Sequence, residues 1–292
     1  SIFTYKNWTT NVTHLELGLW AKIDKPVLAF ILSIEMVIGI LGNGLVLVVK
    51  VCRDQFQCDY WVPFISLTLS DFCCSVLIIT GSFLAVLTGG QESPWCEVVS
   101  LFKFTFITSS FGSVLLCLQR YLGADSKRRC WSVIVIVTCL VSWLTGSVFG
   151  VVPVVYDWIY DSSEMLCAVF WESSYSDMLI YILCAITISI FPAMLIMIIF
   201  SLLTLSSVTP LVVGSFLVCY TPFILSELIL LGRLDLSPSP DWLRTLSSVL
   251  AYLDCSLNPI IYCTNQGFRE AMLALLWNTK KTTFPEPVLT CV

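Results

Sequence analysis

Five ionisable side chains lie within long apolar stretches of this 292-residue chain: Glu35, Asp71, Lys103, Glu227 and Asp254. A charged group at the centre of a bilayer costs about 3 kcal/mol or more, so each is a candidate for holding an ion, a proton or a counter-charge. The residues of enzyme chemistry are missing from the sequence pattern. There is one His, and we find no metal-ligand cluster, no nucleophile elbow and no phosphate-binding loop. The sequence therefore predicts a protein that is not an enzyme.

The composition shows what surrounds these groups. Hydrophobic residues make up 57% of the chain and charged residues 12%, against roughly 45–50% and roughly 25% in soluble globular proteins. The mean hydropathy is +0.89. These values exclude a soluble enzyme and a disordered chain, and a net charge of −5 offers no basic face to nucleic acid. We expect a multi-pass membrane protein.

Seven apolar stretches are long enough to cross about 30 Å of hydrocarbon. Because their apolar runs are continuous and do not alternate with polar residues, they are predicted to be helices and not barrel strands. We call them spans one to seven, and they cover about 27–50, 62–88, 97–121, 131–153, 178–203, 208–231 and 243–264.

Two observations orient the chain. Asn7 and Asn11 begin glycosylation sequons, which favours an extracellular N-terminus. With that orientation, Lys and Arg are enriched in the cytoplasmic segments, as the positive-inside rule requires. Of the fourteen cysteines, only Cys96 and Cys167 then face the outside, so we predict one disulfide between them.

Motifs on these spans resemble those of the rhodopsin-like (class A) G-protein-coupled receptors over essentially the whole length. They are LGNGLVLV, SLTLSD, LQRYLG, Trp143, Pro192, CYTPF, LNPIIY and FREAML, in that order. The resemblance implies an all-α membrane protein in the plasma membrane, a seven-transmembrane helix bundle with a short amphipathic eighth helix. Its domains would be an extracellular tail at 1–25, the bundle at 26–265, and the eighth helix with a cytoplasmic tail at 266–292.

The resemblance also implies an activation mechanism. Arg120 would latch the resting state and then meet a heterotrimeric G protein, with Tyr121 beside it. Pro222 would bend span six so that its inner half moves outward, and Tyr262, which follows Asn258 and Pro259, would swing inward. Gln119 stands where the family has an acid. An amide does not neutralise Arg120, so we expect elevated basal activity unless another group restrains Arg120.

The family's ligand pocket maps onto the outer halves of the spans. The candidate residues are Phe102, Lys103, Phe106, Phe170, Trp171, Tyr220, Phe223, Glu227 and Tyr252. Lys103 either pairs with Glu227, anchors an anionic ligand or snorkels to the membrane surface, where lipids are its partners. Phe170 and Trp171 either occupy the pocket themselves, cover a lipophilic ligand or belong to a membrane-interface belt. The sequence allows either a lipid-like or a peptide ligand.

Asp71 resembles the family's sodium-coordinating acid, with Ser109, Asp254 and Asn258 as further candidates. Two neighbouring carboxylates either bind a cation or share a proton, since both do not ionise cheaply; alternatively, Asn and Ser hydrogen bonds satisfy them with no ion. Apart from this sodium ion, no cofactor or metal is expected.

The sequence departs from the family pattern at two further places. Tyr220 replaces the family's Trp, and the connection near 203–208 is so short that we expect a loop to be missing or excised there.

Other functions compete with a signalling receptor. A channel or transporter is disfavoured because we find no internal repeat. A receptor-like scaffold without signalling and a ligand-gated receptor with low basal activity stay open.

Overall fold

A computed structural model describes residues 25–52, 61–90, 94–102, 111–112, 129–151, 158–169, 175–203, 208–232 and 239–277. Within these ranges the chain is helical, apart from turns and one short hairpin of two strands. The described fold is a helical membrane bundle, as the sequence predicts.

The helices follow the predicted spans closely. In the described residues, five helices are long and apolar enough to cross a membrane, corresponding to spans one, two, four, five and six. Span seven passes the same test only when it is taken together with the last helix, from which it is bent by 92°, so the described residues offer five crossings, or six if span seven is counted. Most of span three lies outside the described residues, so the count of seven stays a prediction. The helical bounds are Lys25–Cys52, Trp61–Cys73, Cys74–Ile79, Thr80–Thr88, Trp95–Leu101, Arg129–Val151, Tyr175–Ala185, Ile186–Ile190, Phe191–Leu203, Val208–Gly232, Asp241–Tyr262 and Gln266–Leu276.

Spans two and five each contain a π-helical segment. In span five the segment Ile186–Ile190 immediately precedes the turn that holds Pro192. Proline has no N–H to donate to the preceding turn, which accounts for a local change of hydrogen-bond register. In span two the segment is Cys74–Ile79, and the Thr80 hydroxyl donates to the carbonyl of Ser75, five residues back, at 3.0 Å. That bond satisfies a carbonyl in the widened turn.

Span one packs unusually close to span seven, and glycine makes this possible. A Cβ on Gly42 would lie 2.8 Å from the Cβ of Pro259, well inside the roughly 3.5–4.0 Å at which two carbons pack best. The neighbouring Asn43 then reaches across the interface, where its amide donates to the carbonyl of Cys255 at 2.9 Å. Gly42 therefore allows span one to approach span seven closely, and Asn43 bonds the two spans together.

An antiparallel hairpin follows span four. Strand β1 (Trp158–Asp161) pairs with strand β2 (Leu166–Val169), with Tyr160 opposite Cys167. Cys167 forms the predicted disulfide with Cys96, with Cα atoms 5.6 Å apart. Burial raises the pKa of the Tyr160 phenol. We call residues 158–169 the outer hairpin; the sequence analysis did not predict it.

The last helix, Gln266–Leu276, begins at a capped turn. The side chain of Asn265 accepts a hydrogen bond from the backbone N–H of Phe268 at 3.1 Å, which satisfies a free donor of the first turn. Phe268 is fully buried, while Gln266 and Glu270 pair on the exposed face. This helix has the amphipathic character predicted for the eighth helix.

Candidate functional site

Two acids lie in the middle of the bundle. Asp71 on span two and Asp254 on span seven are both buried, and Asp254 stands about one helical turn before Asn258 on span seven. The side-chain amide of Asn258 donates to Oδ2 of Asp71 at 2.7 Å, which ties span seven to span two. Three of the four predicted ion-site residues are therefore close together in the core. In the part of the chain that the structure describes, no group of three or more His, Cys, Asp or Glu residues is placed to hold a metal ion.

Span one contributes two more buried polar side chains to this core. The Oδ1 atom of Asn43 has no hydrogen-bond partner among the described residues, although the amide nitrogen donates to Gly39 and Cys255. Oε2 of Glu35 is also buried without a hydrogen-bond partner among them. The Ser256 hydroxyl donates to the backbone carbonyl of Glu35 at 2.8 Å. The core of spans one, two and seven is thus rich in acceptor oxygens, which are the ligands that hard cations prefer.

Tyr220 lies at the position predicted for the activation switch. Its ring is buried and stacks on Phe216, with centroids 4.3 Å apart. Cys219 and Ala193, from spans six and five, complete this cluster. Pro222 lies inside the same helix two residues later. Tyr220 therefore belongs to a cluster that spans five and six share, and it adjoins the proline that weakens its own helix.

Tyr252 connects span seven to span two near the outer end. It is buried, and its hydroxyl oxygen is 3.0 Å from the hydroxyl oxygen of Ser82. The cluster around it includes Met165 and Leu166 of the outer hairpin, and half-buried Phe102 packs against it. Phe223 and Glu227 on span six are half-buried. Of the predicted pocket residues that the structure describes, Tyr252 and Phe102 therefore belong to the cluster at spans one, two and seven, whereas buried Tyr220 and half-buried Phe223 and Glu227 lie on span six.

An aromatic cluster surrounds Tyr262 at the end of span seven that is predicted to face the cytoplasm. Tyr262 is fully buried, with its ring centroid 4.7 Å from that of Phe64 and 6.3 Å from that of Phe268. Nζ of Lys50 lies 4.3 Å from the centroid of Phe64, within cation–π range. The residue predicted to swing on activation is packed between the second span and the last helix in this structure.

Contacts between charged residues hold the outer hairpin against span seven. Arg244 forms an ion pair with Asp161, and it lies 3.7 Å from Glu164 and 3.7 Å from Asp241. The Thr245 hydroxyl adds a hydrogen bond to the carbonyl of Ser163 at 2.9 Å. The sequence analysis missed this site, since nothing in the spacing of Arg244 and Asp161 indicates that they meet.

Several predicted residues lie outside the described residues, and their roles stay predictions. They are Asn7, Asn11, Lys103, Phe106, Ser109, Gln119, Arg120, Tyr121, Phe170, Trp171 and the connection at 204–207. The predicted fourth-span Trp is described: Nε1 of Trp143 donates to Oγ of Ser66 at 2.9 Å and joins spans four and two.

No protein-family model matches the chain. Among curated proteins, it is 28% identical over 160 residues to the type-1 angiotensin II receptor B of Rattus norvegicus and to the type-1 angiotensin II receptor of Meriones unguiculatus. The corresponding receptor of Bos taurus is 27% identical over 160 residues. Each match covers 50% of this chain and 44% of the relative, so the chain spans less than half the length of these relatives.

These similarities, with the apolar helices, confirm the resemblance to rhodopsin-like receptors that the motifs predict. The relatives are receptors and not enzymes, in agreement with the non-enzymatic function expected from the sequence.

Proposed function

We propose that this chain is a G-protein-coupled receptor that transmits an extracellular or membrane-borne signal to a heterotrimeric G protein. The strongest support is the buried network joining the motifs of three spans. Asp71 accepts from Asn258, and Asn43 donates to Cys255, although these partners are far apart in the sequence. Such a network holds spans one, two and seven as a fixed frame against which another span can move.

Span six is the moving element in this proposal. Pro222 lacks an N–H and therefore removes the hydrogen bond to the carbonyl of Val218, which softens the helix at that level. Tyr220 transmits a shift in the outer pocket to this soft point, because its stacked partner Phe216 lies one turn further inward. Outward movement of the inner half then opens the cytoplasmic end. Inside the cell, Tyr262 leaves its aromatic cluster and approaches Arg120.

The two core acids form a candidate sodium site. Asp71, Asp254 and Oδ1 of Asn43 supply oxygen atoms, which fits a small hard cation. With a sodium ion bound, both carboxyl groups are ionised; without it, the pair shares a proton.

Basal signalling follows from Gln119, which cannot neutralise Arg120. The plasma membrane is the proposed location, with the N-terminus outside and glycosylated at Asn7 and Asn11. The second candidate is a ligand-gated receptor with low basal activity, and the names of the relatives favour a peptide ligand because angiotensin II is a peptide.

A second-messenger assay without added ligand tests the proposal. Wild type is compared with Arg120→Ala, and with Arg128→Ala as a matched loss of one basic residue in the proposed cytoplasmic connection that follows the same span. We expect basal output from wild type and Arg128→Ala, and its loss in Arg120→Ala at equal surface expression. A response that appears only when peptide is added supports the second candidate. Equal output from all three variants and untransfected cells, with or without peptide, would contradict both.

A further inference from the structure

The tip of the outer hairpin enters the bundle, although loops normally run over the surface. Met165 and Leu166 are fully buried, with exposed fractions of 0% and 1%. Their neighbours in one apolar cluster come from spans one, two and seven and from the helix Trp95–Leu101 at the predicted start of span three. These neighbours are Leu28, Leu32, Cys74, Ile78, Ile79, Val99, Tyr252 and Cys255. The tip therefore fills the outer end of the space between spans one, two and seven.

The backbone at the tip is in an unusual conformation. Met165 has φ of 61°, in the left-handed region that residues other than glycine rarely adopt. Such a conformation persists only where the surroundings fix it. Here its backbone N–H donates to the carbonyl of Asp161 at 2.8 Å, and its unbranched side chain adapts to the apolar space below. The fold tolerates this left-handed conformation because the conformation points the Met165 side chain into the apolar cluster.

The two ends of the tip are held by different bonds. On the β2 side, Cys167 is fixed covalently to Cys96, next to buried Leu166. On the β1 side and at the tip, the connection is reversible and consists of the Asp161–Arg244 ion pair, a longer ion pair of 3.7 Å between Glu164 and Arg244, and the Thr245–Ser163 hydrogen bond. Asp161 and Arg244 are largely shielded, with side-chain exposures of 16% and 13%. The tip can therefore leave the bundle only by pivoting about the disulfide after the ion pair opens.

Asp241 provides a natural comparison. It lies 3.7 Å from the same guanidinium, but it stands on span seven itself, three residues before Arg244, and its side chain is 84% exposed. It contributes negative charge near Arg244 without connecting the hairpin to the span. Removing the charge of Asp161 tests the latch, whereas removing the charge of Asp241 changes only the local charge near Arg244. A comparison of the two substitutions therefore distinguishes these two effects.

We infer that the hairpin tip Ser163–Leu166 is a built-in plug at the outer end of spans one, two and seven, and that the Asp161–Arg244 ion pair is its latch. The plug directs an extracellular ligand to the flank of span six unless the latch opens. This inference rests on the proposed outward orientation of the hairpin and not on G-protein coupling.

Accessibility of thiols beneath the plug tests the inference. Cys255 is a native, buried and free thiol in the cluster, and Leu28→Cys adds a shallower reporter in the first turns of span one. Intact cells expressing the full chain are treated from outside with a charged, membrane-impermeant methanethiosulfonate. Modification of each reporter is followed over time by site-resolved mass spectrometry. The variants are wild type, Asp161→Asn and the matched control Asp241→Asn, each with and without Leu28→Cys.

We expect slow modification in wild type and in Asp241→Asn, and modification of the Leu28→Cys reporter about tenfold faster or more in Asp161→Asn, because a partly buried charged partner is lost. Met165→Ala, which shortens the plug and leaves the ion pair intact, should also accelerate it. Surface labelling of the folded chain verifies that each variant reaches the membrane. Equal slow rates in all variants would show that Asp161 does not control access. Equally fast rates, wild type included, would show that the tip does not seal the bundle. Either result overturns the inference, whether or not the chain signals.

Discussion

Substitution of Gly42 by alanine tests the packing of span one on span seven. The added methyl group would lie 2.8 and 2.9 Å from Cβ and Cγ of Pro259. Carbon atoms pack best at about 3.5–4.0 Å, so the two spans must separate by roughly 1 Å. The pyrrolidine ring is rigid and cannot rotate away. Separation also lengthens the 2.9 Å bond from Asn43 to Cys255, which crosses the same interface.

The magnitude follows from two opposing contributions. Overpacking of this kind destabilises a protein by about 1–3 kcal/mol. Alanine regains about 0.5–1 kcal/mol over glycine within a helix. The middle values of these two ranges leave a net loss of about 1 kcal/mol, which at roughly 2–4 °C per kcal/mol lowers the melting temperature by about 2–4 °C.

Thermal unfolding in detergent, followed with a dye that fluoresces on reaction with newly exposed cysteine thiols, measures this shift directly. Gly44→Ala is the matched control, because its Cβ would lie 3.4 Å from the ring of Phe72, an ordinary contact. Gly214→Ala is a second control, since nothing lies within 4 Å of its Cβ. We expect both controls to melt at or above the wild-type temperature. A Gly42→Ala variant that melts with the controls would refute the close approach of spans one and seven.

Three further predictions concern the core and the cytoplasmic end. Gln119→Glu should lower ligand-independent second-messenger output, because a carboxylate neutralises Arg120; unchanged output at equal surface expression would count against a weakened latch. Asp71→Asn should abolish the difference in melting temperature between sodium chloride and choline chloride, and a difference that survives would remove the acid pair as a sodium site. Trp143→Phe loses the 2.9 Å bond to Ser66 and should cost about 0.6 kcal/mol, the average for such bonds in a membrane, or about 1–2 °C. No measurable loss would mean that this bond does not hold spans two and four together.

The sequence predicts the long-range plan of the fold well, because hydrocarbon thickness imposes its own length on each helix. Span one was expected at about 27–50 and is Lys25–Cys52; span six was expected at about 208–231 and is Val208–Gly232. The disulfide was also predictable, because the predicted topology places only two cysteines on the outer, oxidising side. These inferences depend on the thickness of the bilayer and on the oxidising compartment outside it, and they require no knowledge of tertiary contacts.

The outer hairpin was not predictable for the opposite reason. Its strands have four residues each, too few to show a clear alternation, and Met165 adopts a left-handed conformation where a reader of the sequence looks for glycine. The ion pair of Arg244 was not predictable either, since a partner 83 positions away leaves no local pattern. The π-helical segment of span two contains no proline, so the sequence gives no sign of this change in hydrogen bonding. The roles of Gln119 and Arg120 stay predictions from the motif.

The most direct test of the proposed function is nucleotide exchange on purified heterotrimeric G proteins by the purified chain in lipid nanodiscs. A panel of heterotrimers is needed, because the coupling preference is unknown, and Arg120→Ala serves as the inactive comparison. We expect nucleotide exchange without ligand to exceed the receptor-free rate for at least one heterotrimer, and we expect Arg120→Ala to reduce the exchange to the receptor-free rate. Exchange at the receptor-free rate across the whole panel, or acceleration that Arg120→Ala leaves intact, would contradict it.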